Sequence, residues 1–419
     1  MLLTTRPTNN GLDELKRGWK IILLAGVGLA CGLGAIPIYS LGVLTKPLSE
    51  AFGWSRAEVQ GIYTWFTIGN LLAAPAVGWL IDHHGVRRVT LLSIIGMAIG
   101  MASLGIFTGP LWSFYLIAFI TAIIGVGTVP ITWTWLIVDW FDVSRGRALG
   151  IALAGTGVSA TFLPSYATWL LTDYGWRMTY IGLAALPALL AFPLSYLLLF
   201  ERSNSPAATV GAEKSAKKVS DERAGLGFRS AIADYRFWIL NASFIMIALA
   251  IAGLISHLIP MLTDRAVSLE TAAKVAGVIG LAVIVGRIGT GYLIDRFWAP
   301  AVGLLLLSLP AFSCVILATG FGGVYAAMFA AVLIGLAAGA EFDLMSFLVS
   351  KYFGQRRYGL LYSFLYAVFK LSAGIAAPLF GLSFDQTGSY SFILFCAAGC
   401  LVAGSCLLLA LGRYRFSSR

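Results

Sequence analysis

Charged residues are scarce in this chain: they make up 11% of its 419 residues, and histidine occurs three times. A water-soluble protein of this size would carry roughly a quarter charged residues. The sequence also lacks the Gly-Lys-Ser or Gly-Lys-Thr element of a phosphate-binding loop, so nothing in it predicts an ATPase. These deficits disfavour a soluble domain and predict that lipid is the main solvent of this protein.

The five cysteines all lie inside apolar runs, where they are expected to pack as small hydrophobic residues. Cys396 and Cys400 would share one helix face, but no histidine or carboxylate accompanies them there, so we predict no metal site. No disulfide, cofactor motif or catalytic nucleophile is evident either. An enzymatic function therefore has no support in the sequence.

Long hydrophobic stretches account for most of the chain, which is 59% hydrophobic. Because one helical crossing takes about 20 residues, there is room for about twelve crossings. We therefore predict an all-α membrane protein with twelve transmembrane helices. The predicted spans lie near residues 21 to 45, 58 to 81, 89 to 107, 112 to 138, 148 to 171, 178 to 199, 237 to 262, 273 to 294, 300 to 319, 323 to 350, 358 to 384 and 389 to 411.

Basic residues predict how these spans are oriented. If the spans are numbered from a cytoplasmic N-terminus, 22 of the 29 basic residues fall on the cytoplasmic side. Such a bias is typical of membrane proteins, so both termini are predicted to be cytoplasmic. The net charge of +10 then reflects topology, and a nucleic-acid partner is not expected. Residues 1–20 have no small-residue cleavage site behind a short apolar run, so no removable signal peptide is predicted.

A polar segment from Glu201 to Asp234 has the composition of a solvated linker and divides the chain in two. The run from Gly78 to Asp82 closes the second span, and the similar run from Gly291 to Asp295 closes the eighth, 213 positions later. This indicates duplication of a six-span unit, with a binding site between the halves. The predicted segments are a cytoplasmic N-terminus at 1–20, six-helix bundles at 21–200 and 236–411, a linker at 201–235 and a cytoplasmic tail at 412–419.

The run from Gly78 to Arg88 resembles the signature loop of the major facilitator superfamily, with His83 where that family usually has a basic residue. The resemblance implies the major facilitator fold and a latch on the cytoplasmic face that opens as the halves rock. The alternative is that these charges only set topology. The predicted latch residues are Asp82, Arg87, Arg88, Asp295 and Arg296.

Three shorter motifs resemble the branch of monocarboxylate transporters and oxalate:formate antiporters. They are the run from Pro37 to Val43, the run from Phe52 to Ser55, and Gly175-Trp176-Arg177. The resemblance implies that the cargo is an organic acid.

Charged residues inside spans are expensive in lipid, so each one is a candidate for function. Arg287 lies in the eighth span and Lys370 near the middle of the eleventh. A guanidinium and an ammonium group together suit an anion, and both positions resemble basic residues of the same branch. The alternative is that Arg287 and Lys370 only neutralise Asp343 and Glu341 across neighbouring helices.

Two carboxylates of the tenth span, Asp343 and Glu341, are candidates for carrying a proton, because a desolvated carboxylate can take one up near neutral pH. Two residues apart, they point about 200° from each other on a helix, so both are not expected in one cavity. We rank Asp343 first because Arg287 lies at a similar depth. His257 in the seventh span is a third candidate, with simple packing as its alternative.

Aromatic residues complete the predicted site. Tyr366 is the strongest candidate because it precedes Lys370 by four residues and thus shares its helix face. Other candidates for contacting the substrate lie on spans that line the cavity in the family, with packing as the alternative for each of them: Tyr39, Tyr63, Trp133 and Tyr362.

The leading functional prediction is a secondary transporter of small mono- or dicarboxylates, aromatic ones included, working by proton symport and alternating access. The alternatives are an exchanger of organic anions and an exporter of drugs or metabolites. The expected partners are a small organic anion, protons and membrane lipid. A multi-pass monomer in the bacterial inner membrane is the expected setting.

Overall fold

The computed structural model describes residues 11–141, 144–199, 225–320, 322–354 and 356–416. The side chains of Asp82 and Arg145 lie outside this description, as does most of the predicted linker. Within these ranges the secondary structure is helical apart from one isolated bridge between Gly225 and Gly354. The predicted all-α class is therefore confirmed.

The N-terminal half contains eight α-helices in the described part of the chain. They are α1 (Gly11–Ala30), α2 (Ile36–Phe52), α3 (Arg56–His84), α4 (Val86–Gly105), α5 (Leu111–Ile124), α6 (Pro130–Trp140), α7 (Arg145–Leu186) and α8 (Phe192–Leu198). A 3-10 turn at Gly125–Thr128 joins α5 to α6, and a π-helical turn at Pro187–Ala191 joins α7 to α8.

The C-terminal half begins with a short helix and continues with six long ones. They are α9 (Phe228–Ala233), α10 (Tyr235–Thr263), α11 (Leu269–Arg296), α12 (Ala299–Thr319), α13 (Gly323–Phe353), α14 (Tyr358–Thr387) and α15 (Ser391–Leu407), which ends in a 3-10 turn at Leu408–Leu411.

Two predicted spans are interrupted in the structure. The apolar run near 21 to 45 is split between α1 and α2, and the run near 112 to 138 between α5 and α6. The two breaks meet: the Leu33 backbone N–H donates to Thr128 Oγ1 over 3.2 Å, and a Cβ added to Gly32 would lie 2.4 Å from the Thr128 carbonyl oxygen. Thr128 in the second break thus satisfies a backbone N–H of the first, which is what an interrupted helix needs inside a membrane.

Nine helical segments of the described chain are long and apolar enough to cross a membrane. One of them, Gly146–Leu198, has 53 residues, which is about 80 Å of helix, more than twice the thickness of a bilayer core. Gly175 divides it, because its φ of 79° and ψ of 172° are not helical. This conformation is almost restricted to glycine, so Gly175 divides the segment into two helical parts.

The ends of the helices define two faces of the bundle. On the first, which we name the terminal face, Ser144 N–H donates to the Glu14 carboxylate and Arg87 to the Tyr196 carbonyl in the N-terminal half. In the C-terminal half, Phe416 N–H donates to the Lys351 carbonyl on the same face. Glu14 near the start and Phe416 at the end of the described residues therefore lie on the terminal face, and the opposite one is named the distal face.

Glycines bring the two halves into close contact. A Cβ added to Gly280 of α11 would lie 2.3 Å from the Gly157 carbonyl oxygen and the Thr161 nitrogen of α7. Near the distal face, a Cβ on Gly381 of α14 would lie 2.6 Å from the Ala57 nitrogen of α3. Such contacts between backbones are how helices associate in lipid. They bring α11 against α7 and α14 against α3.

Candidate functional site

Lys370 of α14 lies among aromatic rings at the interface between the halves. Its Nζ is 5.7 Å from the centre of the Tyr366 ring and 5.5 Å from that of Phe342 on α13. Tyr366 in turn stacks on Tyr362, with 6.1 Å between ring centres. The ring faces stabilise an ammonium group at this place. Tyr366 and Lys370 thus share a helix face, as their spacing of four residues predicts.

Arg287 of α11 and two carboxylates of α13 complete a charged cluster around this lysine. Glu341, 6% exposed, interacts electrostatically with both Lys370 and Arg287. The half-buried Asp343 interacts with Arg287. Two cations and two carboxylates thus lie together, and both carboxylates interact with Arg287 although they leave the helix in different directions.

Two atoms of this cluster are buried without a hydrogen-bond partner among the described residues: Glu341 Oε2 and Arg287 Nε. Buried polar atoms are nearly always hydrogen-bonded in folded proteins. Arg287 Nε can therefore donate to an acceptor on a bound small molecule. Glu341 Oε2 can take a hydrogen from such a molecule or from a bound proton.

The N-terminal half contributes two tyrosines. Tyr39 of α2 interacts electrostatically with Lys370, Glu341 and Arg287, and Tyr63 of α3 interacts with Lys370 and Glu341. Tyr63 is 8% exposed. Because these groups come from both halves, relative movement of the halves would change the surroundings of the charges.

Trp133 requires a correction. Its indole is 1% exposed and donates to the Thr128 carbonyl over 3.1 Å. The ring packs on α1, where a Cβ at Gly28 would lie 2.2 Å from it. Its N–H is already used and its face is covered within the N-terminal half. Contact of Trp133 with a substrate, as predicted from the sequence, does not agree with this position.

His257 lies apart from the charged cluster. It is fully buried in α10, with Nδ1 3.0 Å from Tyr390 Oη and Nε2 2.8 Å from the Ala377 carbonyl oxygen. Of the three groups predicted to carry a proton, Glu341 and Asp343 lie in the central cluster, while His257 belongs to a network near the distal face.

The predicted latch residues lie on the terminal face. The contacts described for Arg87 and Arg296 stay within one half: Arg87 donates to the Tyr196 carbonyl over 3.0 Å, and Arg296 lies 3.9 Å from the centre of the Tyr292 ring. Arg88 and Asp295 are exposed, and the side chain of Asp82 is outside the described part. A latch between the halves on this face remains a prediction.

Sequence reasoning missed the contacts between the halves near the distal face. Arg56 forms an ion pair with Asp264, and the Asp385 carboxylate accepts from the backbone N–H groups of Arg56 and Ala57. The only local signal is the capping box of Ser55 and Glu58, which marks the start of α3. Asp264 is 208 residues away in sequence, so no local pattern could reveal this pair.

Two of the motifs that resemble the carboxylate branch meet in an aromatic cluster. The rings of Phe52 and Trp54 stack with centres 4.4 Å apart, and Trp176 packs edge-on to Phe52 at 5.4 Å. Arg177 covers the Trp176 ring at 4.2 Å. These motifs therefore pack the end of α2 against the break at Gly175 in α7.

Comparison with known proteins agrees with this architecture. The family model of the Major Facilitator Superfamily matches residues 21–329. Monocarboxylate transporter 13 of Rattus norvegicus is 25% identical over 416 residues, covering 99% of this chain and 92% of that protein. The cis,cis-muconate transport protein of Acinetobacter baylyi is 23% identical over 287 residues, covering 66% of this chain and 67% of that protein.

Among solved structures, the D-xylose-proton symporter superimposes with a TM-score of 0.72 at 14% identity, covering 94% of this chain and 98% of that one. This likeness concerns the fold alone. The family match covers most of the chain, and the predicted superfamily and its resemblance to the monocarboxylate branch are confirmed. The chain belongs to the major facilitator superfamily, whose members are multi-pass membrane transporters of small molecules and not enzymes.

Proposed function

We propose that this protein is a secondary active transporter of small organic carboxylates, mono- or dicarboxylates with aromatic ones included, which moves them together with protons by alternating access. Twelve crossings with both termini in the cytoplasm, in a bacterial inner membrane, are part of this proposal. Nine apolar segments in the described part of the chain, one of them broken at Gly175, and the bias of the basic residues support this arrangement.

The observation that carries the proposal is the placement of Arg287 and Lys370 around one buried carboxylate, Glu341. A guanidinium offers a planar fork for a carboxylate, and an ammonium offers a compact charge. The Nε of Arg287, which has no hydrogen-bond partner among the described residues, is a donor available for an anion. Relatives named for monocarboxylates and for muconate, which is a dicarboxylate, support the same class of cargo.

Glu341 is the group that we propose to carry the proton, in place of the predicted first choice, Asp343. It is the more buried of the two, and it interacts with both cations. A substrate carboxylate that binds Arg287 and Lys370 would compete with Glu341 for them. Protonation of Glu341 removes that competition, so a proton and an anion bind best together.

Uptake into proteoliposomes tests the cargo. Radiolabelled mono-, di- and aromatic carboxylates would be compared for wild type, Arg287→Gln and Lys370→Gln. We expect each variant to lose at least about tenfold in uptake, since hydrogen bonds to charged groups are worth about 1.5–3 kcal/mol. The matched control is Lys274→Gln on α11, because that side chain is 63% exposed and pairs with Glu270 on the surface. Normal transport by both site variants would refute the proposal.

A pH gradient tests whether uptake is coupled to protons through Glu341. Wild-type uptake should rise when the solution that supplies the substrate is acidified. Glu341→Gln should lose this response but still exchange internal for external substrate. Asp343→Asn is the matched control and should keep the response. If wild-type uptake did not depend on the gradient, the protein would be an exchanger. If only Asp343→Asn lost the response, Asp343 and not Glu341 would be the residue that carries the proton.

A further inference from the structure

The ion pair between Arg56 and Asp264 joins the two halves with unusually complete geometry. Arg56 Nη1 is 2.5 Å from Asp264 Oδ2, and Nη2 is 2.7 Å from Oδ1. The side chains are only 15% and 24% exposed, and the guanidinium lies 3.7 Å from the centre of the Phe384 ring. A two-pronged, partly buried pair of this kind binds more strongly than a single contact on an open surface.

Asp385 holds the same corner from the other side. Its two carboxylate oxygens accept from the backbone N–H groups of Arg56 and Ala57 over 3.1 and 2.9 Å. These groups belong to the first turn of α3, where N–H groups have no partner within the helix and the helix dipole favours a negative charge. The start of α3 is therefore bound to α14 of the opposite half through its backbone.

Tyr390 and His257 extend the network into the protein. Arg56 Nη1 donates to Tyr390 Oη over 2.8 Å, and this hydroxyl is 3.0 Å from His257 Nδ1. His257 Nε2 lies 2.8 Å from the Ala377 carbonyl oxygen, which can only accept. Nε2 therefore donates to this carbonyl, and in a neutral ring Nδ1 accepts from the Tyr390 hydroxyl.

A proton added at Nδ1 of His257 would disturb this arrangement. The ring would become a donor on both nitrogens, so the hydrogen of the Tyr390 hydroxyl would have to turn away from Nδ1 and lose its acceptor, and the hydroxyl oxygen would have to accept from both Arg56 and the ring. A second positive charge would also be buried close to Arg56. The charged or titratable groups that face the ring across its neighbours are Arg56, Asp264, Asp385 and Tyr390.

All described hydrogen bonds between the halves belong to this corner or lie just inside it. Gln60 of α3 donates to the Ser256 carbonyl over 3.3 Å, and Thr64 to the Gly374 carbonyl over 2.7 Å. The network therefore closes the distal face in this conformation, while the contacts described for Arg87 and Arg296 on the terminal face stay within their halves.

We propose that Arg56, Asp264, Asp385, Tyr390 and His257 form a distal lock that holds this face shut while His257 is neutral and opens when His257 is protonated. The bias of the basic residues places the distal face outside the cell, so acid outside opens the carrier outward. This lock is separate from the central cluster and does not depend on the nature of the cargo.

Thiol labelling from outside tests the lock. The reporter is Ser256→Cys, a fully buried position of nearly equal size on α10 just inside the network, in a chain whose five native cysteines are replaced by alanine. Right-side-out vesicles would be treated with a membrane-impermeant maleimide at pH 7.5 and 5.5. Each rate is divided by that of Thr108→Cys, an exposed position on the distal face, because the reagent itself reacts more slowly in acid.

We expect the normalised rate to rise about tenfold at pH 5.5, which corresponds to about 1.4 kcal/mol in favour of the open state. Arg56→Gln should label fast at both pH values. His257→Gln should label slowly at both, because glutamine keeps one donor and one acceptor but does not titrate. Arg265→Gln is the matched control: Arg265 follows Asp264 directly but donates to the Leu317 and Ala318 carbonyls of its own half, so it should behave as wild type.

Labelling that is equally slow at both pH values in the parent chain would overturn the proposal. If the labelling rate of His257→Gln still rose in acid, His257 would not be the sensor, and Asp264 or Asp385 would be identified in its place. If Arg56→Gln does not give a monodisperse protein, Arg56→Lys keeps the charge but loses the two-pronged contact and should show an intermediate rate. A parent-like rate in Arg56→Lys would then count against the lock.

Discussion

Replacing Gly280 by alanine is expected to destabilise the contact between the halves. The new Cβ would lie 2.3 Å from the Gly157 carbonyl oxygen and from the Thr161 nitrogen, whereas comfortable contacts are about 3.5–4.0 Å. The helices α7 and α11 would have to separate by at least about 1 Å. Neighbouring contacts would open with them, since a Cβ added to Gly277, one turn away, would also lie only 2.7 Å from the Thr161 carbonyl oxygen.

Overpacking of this kind costs about 1–3 kcal/mol. At about 2–4 °C per kcal/mol, the scale for domains of 150–250 residues, the apparent Tm should fall by several degrees. Uptake should fall as well, because the halves must move against each other at this contact. Thermal unfolding in detergent, followed by tryptophan fluorescence, and uptake into proteoliposomes are the two assays.

The matched control is Gly289→Ala on the same helix, where the added Cβ would meet no described atom within 4 Å outside its own turn of helix. Alanine should be neutral there or stabilise by up to about 1 kcal/mol, because glycine is a poor helix former. If Gly280→Ala were as stable and active as Gly289→Ala, the close contact between α7 and α11 would be refuted.

Three further changes test local features through the apparent Tm. Trp133→Phe removes the hydrogen bond to the Thr128 carbonyl and should lower the free energy of unfolding by about 1 kcal/mol without changing the KM for substrate. A raised KM would show that Trp133 does contact the substrate. Gly175→Ala forces a side chain into a glycine conformation and should cost about 1–3 kcal/mol, whereas Gly150→Ala on the same helix, where the added Cβ meets nothing, should not. Ser55→Ala removes the cap of α3 and should cost about 1 kcal/mol; an unchanged Tm would show that Asp385 alone suffices.

The sequence was most informative where it places ionisable residues inside apolar runs. Arg287, Lys370 and Glu341 stand out because ionisable groups inside apolar runs are rare and expensive, and the structure does bring them together. The repeated Gly78 and Gly291 motifs and the family resemblance rest on short local patterns in the same way. These features needed only local composition and spacing.

Features that depend on partners far away in the chain could not be predicted. Nothing around Arg56 indicates that its carboxylate is Asp264, and hydropathy cannot distinguish a tryptophan that faces a cavity from one packed like Trp133. The break between α1 and α2 did have a signal, since Gly32 and Gly34 precede Pro37, but an uninterrupted apolar run concealed it.

The contact between the two helix breaks has a consequence for how this sequence can vary. Gly32 lies against the backbone of Thr128, and no side chain exchanged at position 128 could make room for a larger residue at 32. Only a shift of the break between α5 and α6 could do so. The two interruptions should therefore be kept or lost together: a relative whose first crossing is one continuous helix should have a continuous fourth crossing as well.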